Sequence, residues 1–542
     1  MNNYNPLWPE VVVWWGAGAS VEMNLLTTDS IAYQITQLSQ VNEELYENNK
    51  EKEIEMRVKK ALKEKGSNNT LIVEDLKKLI STLESKDNNE YIKYIKETYD
   101  WETLKKIIKI TPKSGDIVKI QDIFNLIDMY LFNKTGFRNY TTGEFLDINK
   151  ISAAREALKL LTIFLQTIQY KRLINENPEK IESYYEFALA IGRLMQEEGL
   201  KLKDEVSLIK REFYLESLSF ICLNWDPILL WLLFCANKEL NNKSNIYIGK
   251  NIEKLKLYHD LGYFMGVRKI DGDTPEVWYP FNEGIVNRIN TEKYTTSKKV
   301  RVGKFYFPHG CLGWRECPNC GKLTCYLGNS REWSYLSESI FPPSITDCFG
   351  FEIKSNNEKE EINKQRYDGI QCSFCGTITE VKDTPIVMQT SYKLNNPPFI
   401  EEIQRDMKIG ISKAKHMVFM GYSLPPDDII YKSIISSKLS NEKIIITLVV
   451  GYDKNAEDKY YTKDEAKEYW KKQKNKTGKE TYDSIKSILS GIIKEKLTIR
   501  LYFKGIPNVF KANSQQEVYN KVKELFYPYN TFEKYIKDRK EK

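Results

Sequence analysis

Two C-x-x-C pairs in the second half of the chain, each followed by glycine, carry the residues best suited to bind a metal. Four thiolates in this pattern surround one Zn²⁺ tetrahedrally, and a closed shell of four ligands leaves no position for a substrate. We therefore predict a structural zinc site, with a hairpin or loop filling residues 323–369. Cys311 and Cys325 are nearby alternative ligands, and four buried free thiols are the simpler alternative. The four predicted ligands are Cys317, Cys320, Cys372 and Cys375.

The chain has three histidines, His259, His309 and His416. His309 lies between Pro308 and Gly310, directly after a predicted strand, where an open parallel sheet presents residues to a ligand. Imidazole is the side chain best suited to act as a general base near neutral pH. His309 is therefore a candidate general base, with a structural role as the alternative, and the other two histidines are expected to be structural.

Asn224 and Asp226 follow another predicted strand, Ser219–Leu223. An amide and a carboxylate at this position can face a polar ligand. The alternative is an Asx turn, in which the side chains bond only to nearby backbone.

A short apolar run, Val11–Trp15, is followed by Gly16, Ala17, Gly18, Ala19 and Ser20. The run is typical of a buried parallel strand, and the two glycines allow a tight turn and close approach of a ligand. We expect Ser20 to cap a following helix through Thr28–Leu38, whose N-terminal N–H groups would face a phosphate. The alternative is that the glycines serve packing only.

Strands that alternate with helices must position these residues, and the pattern predicts an α/β fold with a mainly parallel, doubly wound sheet. Further strands are expected at Gly303–Phe307, Met417–Met420, Ile444–Gly451 and Leu497–Phe503. Helices are expected at Ile228–Leu240, Asn455–Lys476 and Gln515–Phe526.

The order of predicted helices, strands and motifs divides the chain into six segments. Residues 1–41 form the first strand and helix, and 42–216 an α-helical insertion or cap that either regulates the protein or roofs a ligand crevice. Residues 217–316 and 381–530 complete the sheet, and 317–380 form a zinc-binding module. Residues 531–542 form a charged tail, which is expected to be frayed at Lys537–Lys542.

Composition limits the classes of function. The chain has 542 residues, and its net charge of +7 is the small difference between 81 basic and 74 acidic side chains, so direct nucleic-acid binding is not expected. No apolar run approaches the roughly 20 residues of a membrane helix. Nine cysteines, four of them in C-x-x-C pairs, suit a reducing compartment, so we expect a cytoplasmic protein.

The order of these motifs resembles the sirtuin superfamily. The resemblance rests on the turn from Gly16 to Ser20, on Asn224-Trp225-Asp226, His309-Gly310 and the four cysteines, and on Gly421-Tyr422-Ser423-Leu424. It covers about half of the chain and leaves the helical insertion unexplained.

The resemblance implies a Rossmann-like domain with a zinc ribbon, and NAD⁺ as the ligand. The turn from Gly16 to Ser20 would cradle the pyrophosphate, and Gly421 with Ser423 would bind near the ribose-phosphate. Asn224 would position the nicotinamide ribose and the attacking species, Asp226 would hold the carboxamide, and His309 would be the general base. The shared chemistry is cleavage of the nicotinamide–ribose bond.

Two departures separate this chain from the protein deacylases of that superfamily. Where they have Gly-Ile-Pro-Asp-Phe-Arg in the cofactor loop, this sequence has Asn24–Asp29. Where they have a Phe-Gly-Glu segment lining the acyl-lysine tunnel, it has Val387–Tyr392. Gly421–Pro425 with Asp427-Asp428 resembles the divergent bacterial branch of antiphage defence proteins that hydrolyse NAD⁺.

The expectation is therefore an NAD⁺ glycohydrolase of that branch, acting in abortive infection. An oligomer, a partner ATPase or a phage-derived trigger would restrain and release it. Two alternatives stay open: a deacylase or ADP-ribosyltransferase, and a catalytically silent nucleotide-sensing module that recruits a partner.

Overall fold

A computed structural model describes the greater part of the chain. The described residues are 10–23, 25–40, 90–114, 117–138, 143–202, 215–247, 254–258, 265–267, 300–326, 334–337, 340–342, 370–387, 397–425, 428–436, 443–473, 476–490 and 494–540. Among them no helix combines the length and the apolar character that crossing a membrane requires.

An eight-stranded sheet forms the centre of the molecule. Its strands, in chain order, are β1 (Val11–Trp15), β2 (Leu215–Cys222), β3 (Lys254–Tyr258), β4 (Val300–Tyr306), β5 (His416–Met420), β6 (Ile444–Val449), β7 (Tyr460–Thr462) and β8 (Leu497–Tyr502). Their spatial order is β7-β8-β6-β5-β1-β2-β4-β3. Every neighbouring pair is parallel except β7 with β8 at one edge. The predicted α/β fold with a mainly parallel sheet is confirmed.

The first strand is the middle of this sheet. All five residues of β1 are buried, and they pair in register with β5 on one side and β2 on the other. Three valines and two tryptophans suit a strand that is covered on both faces.

The α-helices of the described residues are, in chain order, α1 (Thr28–Gln40), α2 (Glu90–Thr98), α3 (Trp101–Ile110), α4 (Ile120–Phe132), α5 (Ile148–Glu176), α6 (Pro178–Leu202), α7 (Ile228–Tyr247), α8 (Pro398–Lys413), α9 (Ile429–Ser436), α10 (Lys463–Lys472), α11 (Lys479–Ile488), α12 (Gln515–Phe526) and α13 (Thr531–Lys540). Short strands pair outside the central sheet: Lys113–Ser114 with Ile117–Val118, Phe137–Arg138 with Phe145–Leu146, Leu323–Cys325 with Trp314–Glu316 and Met265–Val267, and Ile370–Gln371 with Ile378–Thr379.

The described part of the predicted insertion at 42–216 is mostly helical, with two short strand pairs and the first residues of β2, and its last helix is part of the main core. Phe187 of α6 stacks on Trp15 of β1 at 6.0 Å and on Phe510 at 4.3 Å between ring centroids. Tyr184 of the same helix also contacts both rings. We call the described residues 90–202 the helical region, and α6 joins it to the sheet without an intervening boundary.

Two predictions near the C-terminus are wrong. The helix predicted at Asn455–Lys476 begins only at Lys463, because Thr462 caps it in a capping box with Glu465 and the preceding residues form β7. The segment 531–542, predicted to be a charged tail that is frayed from Lys537 onward, is helical through Lys540. It is anchored by buried Phe532, Tyr535 and Ile536.

His416 lies in a hydrogen-bonded network inside the core, as its predicted structural role requires. Its Nδ1 is 2.7 Å from the Phe526 carbonyl oxygen, and its Nε2 is 2.7 Å from Thr447 Oγ1. Arg500 Nε donates to the same Thr447 oxygen at 2.7 Å. Because a carbonyl only accepts, Nδ1 carries the proton, and the Thr447 hydroxyl can donate to Nε2. Burial, reinforced by the nearby Arg500 charge, lowers the pKa of His416 to about 3.

This lowered pKa predicts an acid-sensitive contribution to stability. His416 takes up a proton near pH 6.5 in the unfolded chain but only near pH 3 in the folded protein. The free energy of unfolding therefore decreases as the pH falls from 6.5 to 3. Between pH 7 and pH 5 the loss is about 2 kcal/mol. Urea unfolding of His416→Gln should show a lower free energy of unfolding at pH 7 and a smaller decrease on acidification than the wild type.

The control for this experiment is Thr447→Val, which removes a partner and keeps the titrating ring. It should retain the acid-dependent loss. Equal pH dependence in the wild type and His416→Gln would contradict the assignment.

Candidate functional site

The predicted site residues meet at one edge of the central sheet because seven of its strands run parallel. Residues that follow β5, β1, β2 and β4 emerge side by side at the carboxyl edge. From β1 the chain continues to β2 on one side and later returns through β5 on the other, so the strand order reverses between β1 and β5. Open parallel sheets bind ligands at such a switch point.

The turn after β1, from Gly16 to Ser20, packs directly against the loop after β5. A Cβ atom added to Gly16 or Gly18 would lie 2.6 Å or 2.8 Å from the carbonyl oxygen of Gly421. Gly421 itself has a φ of +63°, and a Cβ there would lie 1.9 Å from the Ala19 nitrogen. The three glycines are therefore required by loop-to-loop contact, which is the packing alternative for this motif.

The backbone of the turn is largely occupied within the protein. Gly16 N–H donates to Met420 O and Gly18 N–H to Gly421 O, both at 2.9 Å. Ala19 N–H and Ser20 N–H donate back to the carbonyls of Gly16 and Ala17. Ala17 and Gly18 are the exposed residues of this turn, and the Gly18 N–H is already bonded to Gly421 O.

Ser20 does not cap the helix, and this prediction is wrong. Two 3₁₀ turns, Ala17–Ala19 and Val21–Met23, follow the strand before α1 begins at Thr28. Thr27 Oγ1 accepts the Ser30 N–H at 3.2 Å and takes the capping role. The Ser20 hydroxyl oxygen instead accepts from the Asn224 side-chain amide at 3.1 Å.

Asn224 and Asp226 are both buried after the end of β2. The bond from Asn224 Nδ2 to Ser20 Oγ joins the β2 loop to the glycine turn. Asp226 Oδ1 accepts the Ile228 N–H at 3.2 Å, so Asp226 forms an Asx turn at the start of α7. Burial raises the pKa of the Asp226 carboxyl to about 6, against the opposing effect of hydrogen bonds from Ile228 and Asn224.

His309 is bonded to the residue that precedes Asn224, and this bond orients its ring. Its Nδ1 is 3.1 Å from the Leu223 carbonyl oxygen. A carbonyl can only accept, so Nδ1 carries the proton and Nε2 carries the lone pair that a general base requires. Leu312 N–H donates to Trp225 O at 2.7 Å, so two bonds between the β2 and β4 loops flank Asn224.

The segment 385–387, which follows the second cysteine pair, pairs with the backbone of His309 and Gly310. The Val387 N–H donates to the His309 carbonyl at 2.9 Å, and Gly310 forms an antiparallel bridge with Ile386. Gly310 has a φ of +75°, and a Cβ there would lie 1.8 Å from the Pro385 oxygen. Glycine is therefore required beside the histidine for close contact with this segment.

The loop after β5 carries the remaining predicted residues. Ser423 is exposed, while the neighbouring Tyr422 and Leu424 are buried. The Tyr422 hydroxyl donates to the buried Asp428 carboxylate. Asp427 and His259 lie outside the described residues.

The four predicted metal ligands form one cluster. The Sγ atoms of Cys317, Cys320, Cys372 and Cys375 all lie within 4.8 Å of one another. Cys317 Sγ is 3.5 Å from Cys375 Sγ, and Cys320 Sγ is 3.6 Å from Cys372 Sγ. Zn–S bonds of about 2.3 Å in a tetrahedron place sulfurs roughly 3.8 Å apart, so the cluster fits a metal such as zinc.

Each cysteine pair folds in the same way. The N–H of Gly321 donates to Cys317 O and that of Gly376 to Cys372 O, at 2.9 Å and 3.0 Å. Both glycines have positive φ, +65° and +76°, which explains the residue type after each pair. Cys311 and Cys325, the alternative ligands, are buried and do not belong to the cluster.

Two tyrosines of this region escaped the sequence analysis. The buried Tyr184 of α6 donates its hydroxyl to Ala19 O at 2.7 Å and so braces the glycine turn. Tyr431 of α9 packs its ring against His309, 5.4 Å between centroids. Both stand in apolar helical patterns, where spacing predicts only a core position, and neither carries a motif.

Comparison of the sequence with models of known protein families and with curated proteins finds no match.

The cluster predicts one Zn²⁺ per folded chain. Cys320→Ser should lower the zinc content measured by elemental analysis and lower the thermal midpoint, because structural zinc contributes directly to folding free energy. Cys235→Ala, a buried cysteine in α7 outside the cluster, is the matched control and should keep its zinc. Cleanly folded wild-type protein without zinc would overturn the assignment.

The raised pKa of Asp226 predicts that the ionised carboxylate costs stability. The folded-state pKa of about 6 lies above the ordinary 3.8, so the cost is present above pH 6 and disappears as pH falls toward 4. Asp226→Asn keeps an oxygen for the Ile228 N–H and should raise the free energy of unfolding by about 3 kcal/mol at pH 8.

Denaturant unfolding at pH 8 and pH 4 measures this effect, and the gain should be much smaller at pH 4. Asp464→Asn, which changes a carboxylate that is 88% exposed in α10, is the control and should show little gain at either pH. A loss of stability in Asp226→Asn at pH 8 would contradict the prediction.

Proposed function

We propose that this chain is a sirtuin-like NAD⁺ hydrolase with a Rossmann-like sheet and a structural zinc site. The observation that carries the proposal is the contact of His309 with Leu223 at the switch-point edge. It fixes a general-base nitrogen within one residue of Asn224, and Asn224 is in turn bonded to Ser20 of the glycine turn. In this proposal a base, an amide and a glycine turn, which follow three different strands, contact the same ligand.

The proposed reaction breaks the bond between nicotinamide and C1′ of the ribose. The bonding electron pair leaves with the nicotinamide nitrogen, and a water oxygen bonds to C1′. The Asn224 amide orients the water. The proton that the water loses passes to Nε2 of His309 and then to solvent. Asp226 faces the carboxamide. Because its carboxyl group is buried, a hydrogen bond to the carboxamide is favoured over an unpaired carboxylate charge.

Preorganised polar groups suit this chemistry better than a strong nucleophile, because charge develops on the ribose as the bond breaks. Asn224 and His309 are each held by a hydrogen bond before any ligand arrives, so little reorganisation is needed. Water as the acceptor follows from the sequence, since the segments that shape a deacylase tunnel are replaced at Asn24–Asp29 and Val387–Tyr392. The biological role proposed with this activity is NAD⁺ depletion in antiphage defence.

The proposal predicts the effect of two substitutions. His309→Ala and Asn224→Ala should each lower NAD⁺ turnover by roughly 10²–10⁴-fold, the usual cost of losing an oriented general base or its partner. Release of nicotinamide and ADP-ribose from NAD⁺ alone measures turnover, both with purified protein and in cells that express the intact defence system during phage infection.

His259→Ala is the matched histidine control and should leave turnover unchanged. His416→Ala is unsuitable, because that ring is part of the Thr447–Arg500 network in the core. If infected cells keep their NAD⁺ while acylated proteins lose their acyl groups, the chain is a deacylase. If the protein binds NAD⁺ and no turnover occurs under any trigger, the silent sensing module replaces the hydrolase.

A further inference from the structure

Tyr431 and His309 approach each other across the carboxyl edge of the sheet. Tyr431 belongs to α9, which follows β5, and His309 follows β4. In the sheet β1 and β2 lie between these two strands, yet the two rings are 5.4 Å apart between centroids. Tyr431 also meets Trp14 of β1 edge-on at 5.9 Å. The pair therefore meets over the ends of the two strands that carry the glycine turn and Asn224.

The hydroxyl of Tyr431 is buried there without a hydrogen-bond partner in the described part of the chain. The side chain is only 1% exposed. A buried polar group left unpaired costs stability, and such groups in a folded protein call for an explanation. If residue 431 only packed its ring on His309 and Trp14, a phenylalanine would make the same contacts without a buried unpaired hydroxyl.

We propose that the Tyr431 hydroxyl is a substrate-contacting group that donates a hydrogen bond to the oxygen whose proton passes to His309. That oxygen belongs to a ribose hydroxyl or to the attacking water. The inference rests on the proposed function and adds a residue to its site.

The surroundings of Tyr431 suit a donor. Burial, and then the charge of Asp428, raise the pKa of the Tyr431 phenol well above its ordinary value, so the proton stays on the oxygen. The carboxylate of Asp428 is engaged by the Tyr422 hydroxyl. As His309 removes a proton, negative charge grows on the reacting oxygen, and a fixed O–H donor stabilises that charge more than it stabilises the ground state.

The experiment compares two tyrosine-to-phenylalanine variants. Tyr431→Phe keeps the ring against His309 and removes only the oxygen. Tyr482→Phe is the matched control, because its hydroxyl is also buried without a partner among the described residues, in α11 beside Trp470. Both variants should fold with equal or higher thermal midpoints. Only Tyr431→Phe should lose function, by roughly ten- to a hundredfold, the loss of one hydrogen bond to a charged group.

Two measurements locate the contact. Calorimetric affinities for ADP-ribose and for ADP, which lacks the second ribose, are compared with kcat for NAD⁺ hydrolysis. Weaker binding of ADP-ribose with unchanged ADP binding supports a contact with the ribose. Unchanged binding with a lower kcat supports a contact with the water.

Unchanged kcat and unchanged ADP-ribose affinity in Tyr431→Phe, with His309→Ala inactive, would overturn the inference and leave the hydrolase standing. A wild-type protein that neither binds nor cleaves NAD⁺ under any trigger would overturn the proposed function, and the inference with it.

Discussion

The close approach of two glycine-containing loops is the constraint on which the functional edge depends. Gly16 and Gly18 leave no room for a Cβ against Gly421, and Gly421 leaves none against Ala19. Because β1 and β5 are neighbours, their following loops must share one narrow space at the switch point. Hydrogen bonds from Gly16 and Gly18 to the backbone of the β5 loop then hold the turn in one conformation. Any larger side chain there would force the loops apart and move Ser20 away from Asn224.

A chain of hydrogen bonds connects the glycine turn to the other predicted site residues. Ser20 accepts from Asn224, Asn224 follows the carbonyl that holds His309, and the backbone of His309 is bonded to Val387. Val387 lies 12 positions after Cys375, so the segment that follows the metal cluster and the loop bonded to the glycine turn both contact His309. Tyr184 adds a bond from the helical region to Ala19. Segments distant in sequence thus determine the positions of His309 and Asn224.

Local sequence signals predicted much of this arrangement, and tertiary contacts explain the rest. The strand at Val11–Trp15 and the cysteine cluster follow from residue type and spacing alone. Ser20 could not be assigned correctly, because its partner is the side chain of Asn224, 204 positions away. The tail at 531–542 looked charged and exposed, yet its few apolar residues face a core that the linear pattern does not show. The apolar spacing along α6 indicates a core position for Tyr184 but cannot reveal which group its hydroxyl bonds.

The contrast between two buried polar regions supports the proposal that the carboxyl edge of the sheet binds a ligand. Around His416 every polar atom described above has a partner, and Arg500 also bonds to the carbonyls of Glu524 and Leu525. At the carboxyl edge the balance is different: Asp226 carries a raised pKa, and the Tyr431 hydroxyl is unpaired among the described residues. A network that serves only folding gains by satisfying each group. A site that must bind a polar molecule has to leave part of its hydrogen-bonding capacity unused, and the resulting loss of stability is recovered only when the ligand is bound.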